Sequence, residues 1–544
     1  MAKTKIILYS LVVFIALGCS ENFQYKWKRT TLDASRTGVS PVIDDVDAAL
    51  GVIKDSSYIA PNGAIYYGRT KDVASLLISY QDKMDRVKEV IAHSSEYYST
   101  HYPESELSNL LVDQLMLSVA KSSGKKIDVG LANFGGIRAD LPKGDIILDD
   151  MLSMFPFKNK TVYLEIKGSD LKVMLENFAK SRFEVLGGMK ILARGGKLIS
   201  CEIGGQPLDE NKTYSMATID FLYKGGDGIK LKDVAMNVEG YEVNIIDFML
   251  EYILAQTEAG NEISYKKDGR VVIERALVAK AESEAVVDRK PILTIVHFND
   301  THSHFETERA GKNRGKGGII ERAAYIDSVS QSVGADSLLF LHAGDFCQGS
   351  SYFTELKGEA EIEFLNALGY DAVCLGNHEF DNGIDELAKH LKSLKMPILC
   401  ANYDFSGTPL EEVVKPYAII RKAGLKIGVI GALDNLNSLV DVDIVSNIKF
   451  IDPAQIVNEH AKYLKTQEGC DLIICLSHLG YDDDKYSDIE LAKASSDLDI
   501  IVGGHTHTNL KEIDVVDNKL GEPVQIVTSW KWGLVAGELK IYEN

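Results

Sequence analysis

The chain has 544 residues, 45% hydrophobic and 25% charged, a globular balance that excludes wholesale disorder and a collagen-like or coiled-coil rod. At roughly 100–200 residues per domain, that length calls for two or more domains with separate cores. The formal charge of −20 has the wrong sign for a general nucleic-acid binder. A small phosphorylated ligand stays open, because a metal ion or a few arginines can reverse the field locally.

The first predicted element is a targeting segment over residues 1–19. Lys3 and Lys5 precede an apolar run from Ile6 to Leu17, too short to span a bilayer comfortably. The run ends in Ala16-Leu17-Gly18-Cys19 and resembles a bacterial lipoprotein signal. That resemblance implies export, lipidation of Cys19 and a membrane-anchored protein, periplasmic or on the cell surface. No later run is long and apolar enough for a transmembrane helix. Residues 20–75 carry no pattern that assigns them.

Residues 76–273 read as a smaller mixed α+β domain. Val162, Leu164 and Ile166 alternate as in a half-buried strand. Ser169 or Asp170 can then cap a helix whose Leu171, Met174, Leu175 and Phe178 share one face. Residues 274–290 are charged, alanine-rich and free of glycine, and read as a linker. Beyond Cys19, Cys201, Cys347, Cys374, Cys400, Cys470 and Cys475 form no CxxC pair. They read as small buried hydrophobes rather than a disulfide framework.

Residues 291–544 repeat one theme. Apolar runs at 292–298, 338–342, 372–375, 397–400, 427–430, 472–476, 500–502 and 524–527 read as buried strands. Helix-like stretches, such as 318–330 and Glu359–Leu368, lie between several of them. This alternation predicts a layered α/β domain, whose ligands gather at strand ends. Those ends carry Asp300-Thr301-His302, Gly344-Asp345, Gly376-Asn377-His378-Glu379, His478 and Gly504-His505-Thr506-His507. Alternate residues of an extended segment point the same way, which pairs Asp300 with His302 and His505 with His507. A carboxylate can bridge two cations, and neutral imidazoles suit zinc, manganese or iron. The donors suffice for two metals with four protein ligands each, if Asp345 is shared. His297, His304, His342, His390 and His460 read as structural or solvent-facing, and Glu379 as a supporting residue.

The motifs DTH, GDxxQG at 344–349, GNHEFD at 376–381, SHLG at 477–480 and GHTH at 504–507 together resemble the calcineurin-like metallophosphoesterases, in the form of their 5′-nucleotidase branch. The resemblance covers about residues 291–535. It implies a layered α/β metallophosphoesterase sandwich holding two divalent metal ions, with Zn, Mn, Co and Fe not distinguished. By position, one ion belongs to Asp300, His302, Asp345 and His507. The second belongs to Asp345, Asn377, His478 and His505. His378 is then the catalytic histidine, paired with Asp381. Two such cations polarise phosphoryl oxygens and place an activated water in line with the leaving oxygen.

Three segments of the smaller domain extend the resemblance, over about residues 80–233. Residues 133–140, 156–159 and 220–228 resemble the NxGGIR, PFGN and NFxxxGGDG segments of the 5′-nucleotidase substrate domain. They imply that Phe157 and Phe221 sandwich a base and that Asn159 touches it. Asp227 then accepts from ribose hydroxyls, and Arg138 with Asn133 faces phosphate. Aromatic stacking contributes roughly 1–3 kcal/mol per base, and arginine offers planar donors to phosphate. Lys158 departs from the segment's glycine, and residues 104–110 depart from the family's ExNLGNL. His101 stands where relatives can carry another phosphate-facing arginine. The domain order is also reversed, so a shared cleft forms either within one chain or between two.

The sequence thus points to an exported, lipid-anchored hydrolase of nucleoside 5′-monophosphates. Its partner is a small nucleotide, not a nucleic acid polymer. Two alternatives stay open. The same site could act on 2′,3′-cyclic nucleotides, nucleotide sugars or polyphosphates, or the chain could be a non-catalytic nucleoside-binding surface protein.

Overall fold

The computed structural model describes residues 23–41, 48–274, 290–482 and 485–543. The signal segment with Cys19 lies outside the described residues, as does the linker between 275 and 289.

In the C-terminal unit, strands Leu293–Phe298, Leu338–Ala343, Ala372–Cys374, Ile398–Leu399 and Val414–Lys415 lie side by side and parallel. Every residue of the first two is buried, as expected for strands covered on both faces. A second sheet has the order Tyr417–Lys422, Leu425–Leu433, Leu472–His478, Ile500–Gly503, Pro523–Val527, Asp514–Asp517. The sheets pack face to face, Leu293, Ile295 and Leu341 of one against Val429, Ile474 and Val502 of the other. Helices Ile319–Val333 and Glu359–Leu368 share the core outside the first sheet. Pro453–Thr466 and Asp488–Ala494 do the same outside the second. This is the layered α/β sandwich read from the alternating runs.

Residues without an assignment in the sequence complete this unit. Phe23–Thr31 forms a strand antiparallel to the last strand, Val535–Glu543, in continuous register from Phe23 opposite Glu543 to Thr31 opposite Val535. Its Phe23, Tyr25 and Trp27 pack on the inter-sheet core, while Gln24, Lys26 and Lys28 face out. Trp27 Nε1 donates to Nε2 of the fully buried His297 at 3.3 Å. Thr37 and Arg36 both bond the buried Glu321 carboxylate. Helix Gly68–Met84 packs on Ile319–Val333 and Glu359–Leu368, burying Val73, Leu77 and Met84. The expected division at residue 76 therefore falls inside a helix of the C-terminal unit, and the change of core comes near residue 89. The helix shows its apolar face in the sequence, but not which core that face meets.

The smaller unit has a five-stranded sheet ordered Met236–Asn244, Lys160–Lys167, Thr213–Ile219, Val129–Ala132, Val185–Gly187. Helices Glu106–Ser123, Gly168–Lys180 and Ile245–Glu258 share its core with Leu164 and Met216. Two local expectations are corrected. The strand with Val162, Leu164 and Ile166 also buries Thr161 and Tyr163, because it is a central strand on which helices Glu106–Ser123, Gly168–Lys180 and Asp220–Tyr223 pack. Neither Ser169 nor Asp170 caps the next helix, which begins at Gly168 after Lys167. Its first free N–H groups, on Gly168 and Ser169, donate to the carbonyls of Lys212 and Glu210 at 2.8 and 3.0 Å, so no side-chain cap is needed. The six cysteines are free and buried. Among the described residues, no helix is long and apolar enough to cross a membrane.

Candidate metal centre

Parallel strands of both sheets deliver their C-terminal ends to one edge, and the donors sit on the turns beyond them. Asp300 N donates to Gly344 O, and His302 N to Asp345 O, each at 3.0 Å, so the first two turns are tied together. Asp300, His302, Asp345, His505 and His507 all have positive φ, between 48° and 75°. That conformation is strained for residues with side chains and concentrates at functional sites. Gly376 has no room for more: a Cβ there would lie 2.2 Å from Asp345 Oδ1.

Two trios result, Asp300/His302/His507 and Asp345/His478/His505, each with its ligand atoms within 4.8 Å of one another. Asp345 Oδ2 lies 3.1 Å from His478 Nε2 and 3.7 Å from His302 Nε2, facing both trios as a shared ligand must. Asn377 Oδ1 is 3.0 Å from His505 Nδ1, on the side of the second trio. All seven expected ligands are thus brought together.

The surroundings prepare these groups for cations. His302 Nδ1 faces the carbonyls of Cys347 and Gln348, and His478 Nδ1 that of Ala343, which leaves each Nε2 for the site. Burial holds the imidazoles of His505 and His507 down to about 4, and that of His302 well below its usual range with Arg138 adding to the effect. These three are neutral. His478 goes the other way: against burial, Asp345 and Asp300 push it up to about 10. Its Nε2 is buried between carboxylates, 3.1 Å from Asp345 Oδ2 and 3.9 Å from Asp300 Oδ1, without a well-aligned hydrogen bond to either. Neutral imidazoles, ionised carboxylates and one orphaned ring nitrogen fit a pair of divalent cations.

Glu379 supports the cage. Its carboxylate accepts from the backbone N–H groups of Asp345 and Cys347 at 3.0 Å, and of Gly376 as well. Burial, with Asp345 nearby, pushes its carboxyl up to about 7. His378 Nδ1 lies 2.9 Å from Asp381 Oδ2. Burial opposes protonation of His378, but Asp381 and Asp345 outweigh it and raise the imidazole above its usual value.

A cavity of about 400 Å³ opens on this centre and is lined from both units of the same chain. Arg138, Phe157, Asn159, Phe221, Asp227 and Asn133 come from the smaller unit; Asp345, Asn377, His378, Asp381, His505 and His507 come from the larger. The reversed domain order therefore still yields a shared cleft within one chain. Arg138 Nη2 reaches 2.9 Å from His302 Nε2. The Phe157 ring centre is 5.7 Å from that of His378. Phe221 packs directly on Gly226, where a Cβ would come within 2.4 Å of its ring. Asn133 is not joined to Arg138 at the metal end; its Nδ2 donates to Asp227 Oδ2 at 2.7 Å. His101 is exposed and does not line the cavity.

The sequence reading missed the segment with Asn437, Val440, Asp441 and Val442, which also lines the cavity from the larger unit. Lys224 Nζ bonds Asp441 Oδ2 across the cleft at 2.7 Å. Lys224 sits in a recognised segment, but no motif marks its partner. His297, His304, His342, His390 and His460 lie outside both trios.

Residues 89–233 match the family model of the 5′-nucleotidase, C-terminal domain, and residues 293–509 that of the calcineurin-like phosphoesterases. The chain is 35% identical over 271 residues to a probable 5′-nucleotidase of Treponema pallidum, covering 46% of this chain and 44% of that protein. It is 24% identical over 583 residues to the trifunctional nucleotide phosphoesterase protein YfkN of Bacillus subtilis, covering 87% of this chain and 38% of the relative. The solved structure of a 5′-nucleotidase precursor from Thermus thermophilus is 35% identical, with a TM-score of 0.40, and covers 45% of this chain and 50% of that one. The chain spans half or less of the length of these relatives. It carries a calcineurin-like phosphoesterase domain, a type that uses two divalent metals, preceded by a 5′-nucleotidase C-terminal domain.

Proposed function

We propose that this chain, a 5′-nucleotidase C-terminal domain followed by a calcineurin-like phosphoesterase domain, hydrolyses nucleoside 5′-monophosphates to nucleoside and inorganic phosphate. One observation carries the reading: a single cavity is lined by the metal-ligand cage of the larger unit and by Phe157, Phe221 and Asp227 of the smaller, with the Phe157 ring centre 5.7 Å from that of His378. Its polar end suits a phosphate and its aromatic walls suit a base.

Asp300, His302, Asp345 and His507 would hold one cation, and Asp345, Asn377, His478 and His505 the other. When bound, the pair supplies positive charge to the phosphoryl oxygens and lowers the pKa of an attacking water. The chain does the rest. Arg138 presents its guanidinium to the phosphoryl group, offering planar donors to its oxygens. Phe157 and Phe221 grip the base, and Asp227 accepts from the ribose. Water attacks phosphorus, the bond from phosphorus to the 5′ oxygen breaks, and the leaving alkoxide takes up a proton. Asp381 holds the Nδ1–H of His378, so protonated His378 offers Nε2–H to the charge that develops on the phosphoryl and leaving oxygens.

Export and anchoring through Cys19 belong to the same reading, supported by Lys3, Lys5, the apolar run and the small residues before Cys19. Loss of membrane association on Cys19→Ala tests that part.

The activity is tested by phosphate release from purified protein with Mn²⁺, Zn²⁺, Co²⁺ and Mg²⁺ supplied separately. The substrates are AMP, 2′,3′-cyclic AMP, UDP-glucose, ATP and an aryl phosphate. AMP turns over fastest if the reading holds. Faster release from the cyclic or diphosphate substrates would reassign the substrate, and no release with any metal would reject the hydrolase.

A further inference from the structure

Gln348 has no role in the reading above, yet it lines the cleft. It is 2% exposed and lines the cavity beside Asp345 and His378. Its Oε1 is buried without a hydrogen-bond partner. A buried unsatisfied acceptor costs about 1–3 kcal/mol, and such groups in a folded protein call for an explanation. The backbone points the same way. Gln348 has φ 66°, a conformation that a residue with this side chain adopts only when its surroundings impose it. The carbonyl of Gln348 faces Nδ1 of the expected ligand His302 at 3.0 Å, which fixes where the residue stands relative to the cage. The residue is thus fixed beside the cage through its backbone, with a buried side-chain acceptor that no protein donor meets.

An open acceptor needs a donor. The nearby cavity wall offers Asp345, whose carboxylate already accepts from the His378 N–H, Arg138, which is turned to His302, and His378, whose Nδ1 is held by Asp381 and whose Nε2 is assigned above to the phosphoryl and leaving oxygens. Phosphoryl oxygens of a bound ester cannot donate either. The one donor that hydrolysis must bring to this end of the cleft is the attacking water. We infer that Gln348 Oε1 accepts a hydrogen bond from that water and turns its lone pair toward phosphorus. A glutamine does the same for the attacking water in some phosphoryl-transfer enzymes of unrelated fold, an analogy of chemistry only. The step adds no co-reactant: as the water oxygen bonds to phosphorus, the hydrogen held by Gln348 stays on it as the phosphate hydroxyl, the other proton passes to solvent and is matched by the one His378 gives the leaving oxygen, and the carboxamide is unchanged. This inference rests on the phosphoester-hydrolase reading, but not on the nucleotide.

The test uses the full-length protein, with AMP and an aryl phosphate as parallel substrates. Gln348→Met removes the acceptor at nearly constant size. Gln348→Asn withdraws it by one methylene, and asparagine tolerates positive φ, so this variant guards against misfolding. Gln348→Glu keeps an oxygen at the same reach. We expect kcat to fall roughly 30–100-fold in the Met and Asn variants on both substrates. KM, inhibition by inorganic phosphate and bound metal per chain should stay within about threefold of the parent, because only transition-state geometry is lost. Gln348→Glu should recover at least a third of kcat. The inference is overturned if Met and Asn keep the parental kcat. It is equally overturned if KM and phosphate inhibition change instead, which would make Gln348 a phosphate donor, or if bound metal is lost, which would make it structural. Should the parent cleave the aryl phosphate but not AMP, the nucleotide reading fails, while the effect on kcat still decides the role of Gln348.

Discussion

His378 Nδ1 lies 2.9 Å from Asp381 Oδ2, and that contact decides which ring nitrogen the cleft receives. With Nδ1–H committed to the carboxylate, Nε2 is the atom left to meet substrate. Asp381 also stabilises the protonated ring, raising its pKa against the burial that lowers it. Asp381→Asn removes both effects. It should lower kcat by about 10²–10⁴ while bound metal stays unchanged. The sign of the pH effect follows from the direction of the shift. A ring that has lost its carboxylate gives up its proton at lower pH, so the alkaline limb of the kcat profile moves down in pH. A profile measured beside metal analysis checks both, and an unmoved limb would remove His378 as the acid.

Asp345 faces both ligand trios, 3.1 Å from His478 and 3.7 Å from His302. Asp345→Asn should therefore cost both cations rather than one. Turnover should fall by about 10³ or more, some 4 kcal/mol of barrier. Elemental analysis of the purified variant reads the stoichiometry directly. Retention of one full metal equivalent would show that the carboxylate is not shared.

Phe157 and Phe221 line the cavity from the smaller unit. At roughly 1–3 kcal/mol of stacking per base, replacing both with Ala should raise KM for AMP by about 10–100-fold. An aryl phosphate too small to reach both rings should be affected much less. Equal losses on the two substrates would place the rings in structure rather than recognition.

Glu361 is 1% exposed, with one oxygen accepting from Ser303 Oγ and the other unpaired. Burial pushes its carboxyl up to about 7, against the lowering by Ser303. The folded state therefore binds this proton more tightly than the unfolded state does. Stability is greatest below the ordinary carboxyl range and declines as pH rises toward about 7, by up to about 3 kcal/mol. Glu361→Gln keeps the acceptor for Ser303 and removes the titration. Its melting temperature should gain on the parent's between pH 5 and pH 8. Parallel curves would show that the carboxyl is not held neutral.

The ligand cage was legible in the sequence because its chemistry admits few residue types and each sits directly after an uninterrupted apolar strand. The substrate segments were legible for a similar reason: glycines and aromatics at fixed spacing mark Asn133 to Arg138 and Phe221 to Asp227. What escaped was contact without composition. Asp441 meets Lys224 only because two units close on each other, and a lone aspartate in a loop carries no sign of that. The resemblance implies Asn133 beside Arg138 at the phosphate. The turn between them sends its amide to Asp227 instead. The segment from Phe23 to Met84 shows alternating and helical apolar faces, but periodicity gives a face without its partner. Here the partners lie more than two hundred residues away.

That distant pairing yields the last prediction. Leu77 is 1% exposed and belongs to the core with Ile326, Phe364 and Leu365. Leu77→Ala should cost about 2–5 kcal/mol through lost burial and the cavity left behind. The three tryptophans of the chain, Trp27, Trp530 and Trp532, all lie in the C-terminal unit, so their fluorescence reports on it selectively. If Leu77 belongs there, the variant lowers the denaturant midpoint of the tryptophan transition. Leu115→Ala, made in the core of the smaller unit, is the control and should disturb that transition far less. If Leu77→Ala behaved like the control, the helix from Gly68 to Met84 would belong with the smaller unit, and the boundary at residue 76 would stand.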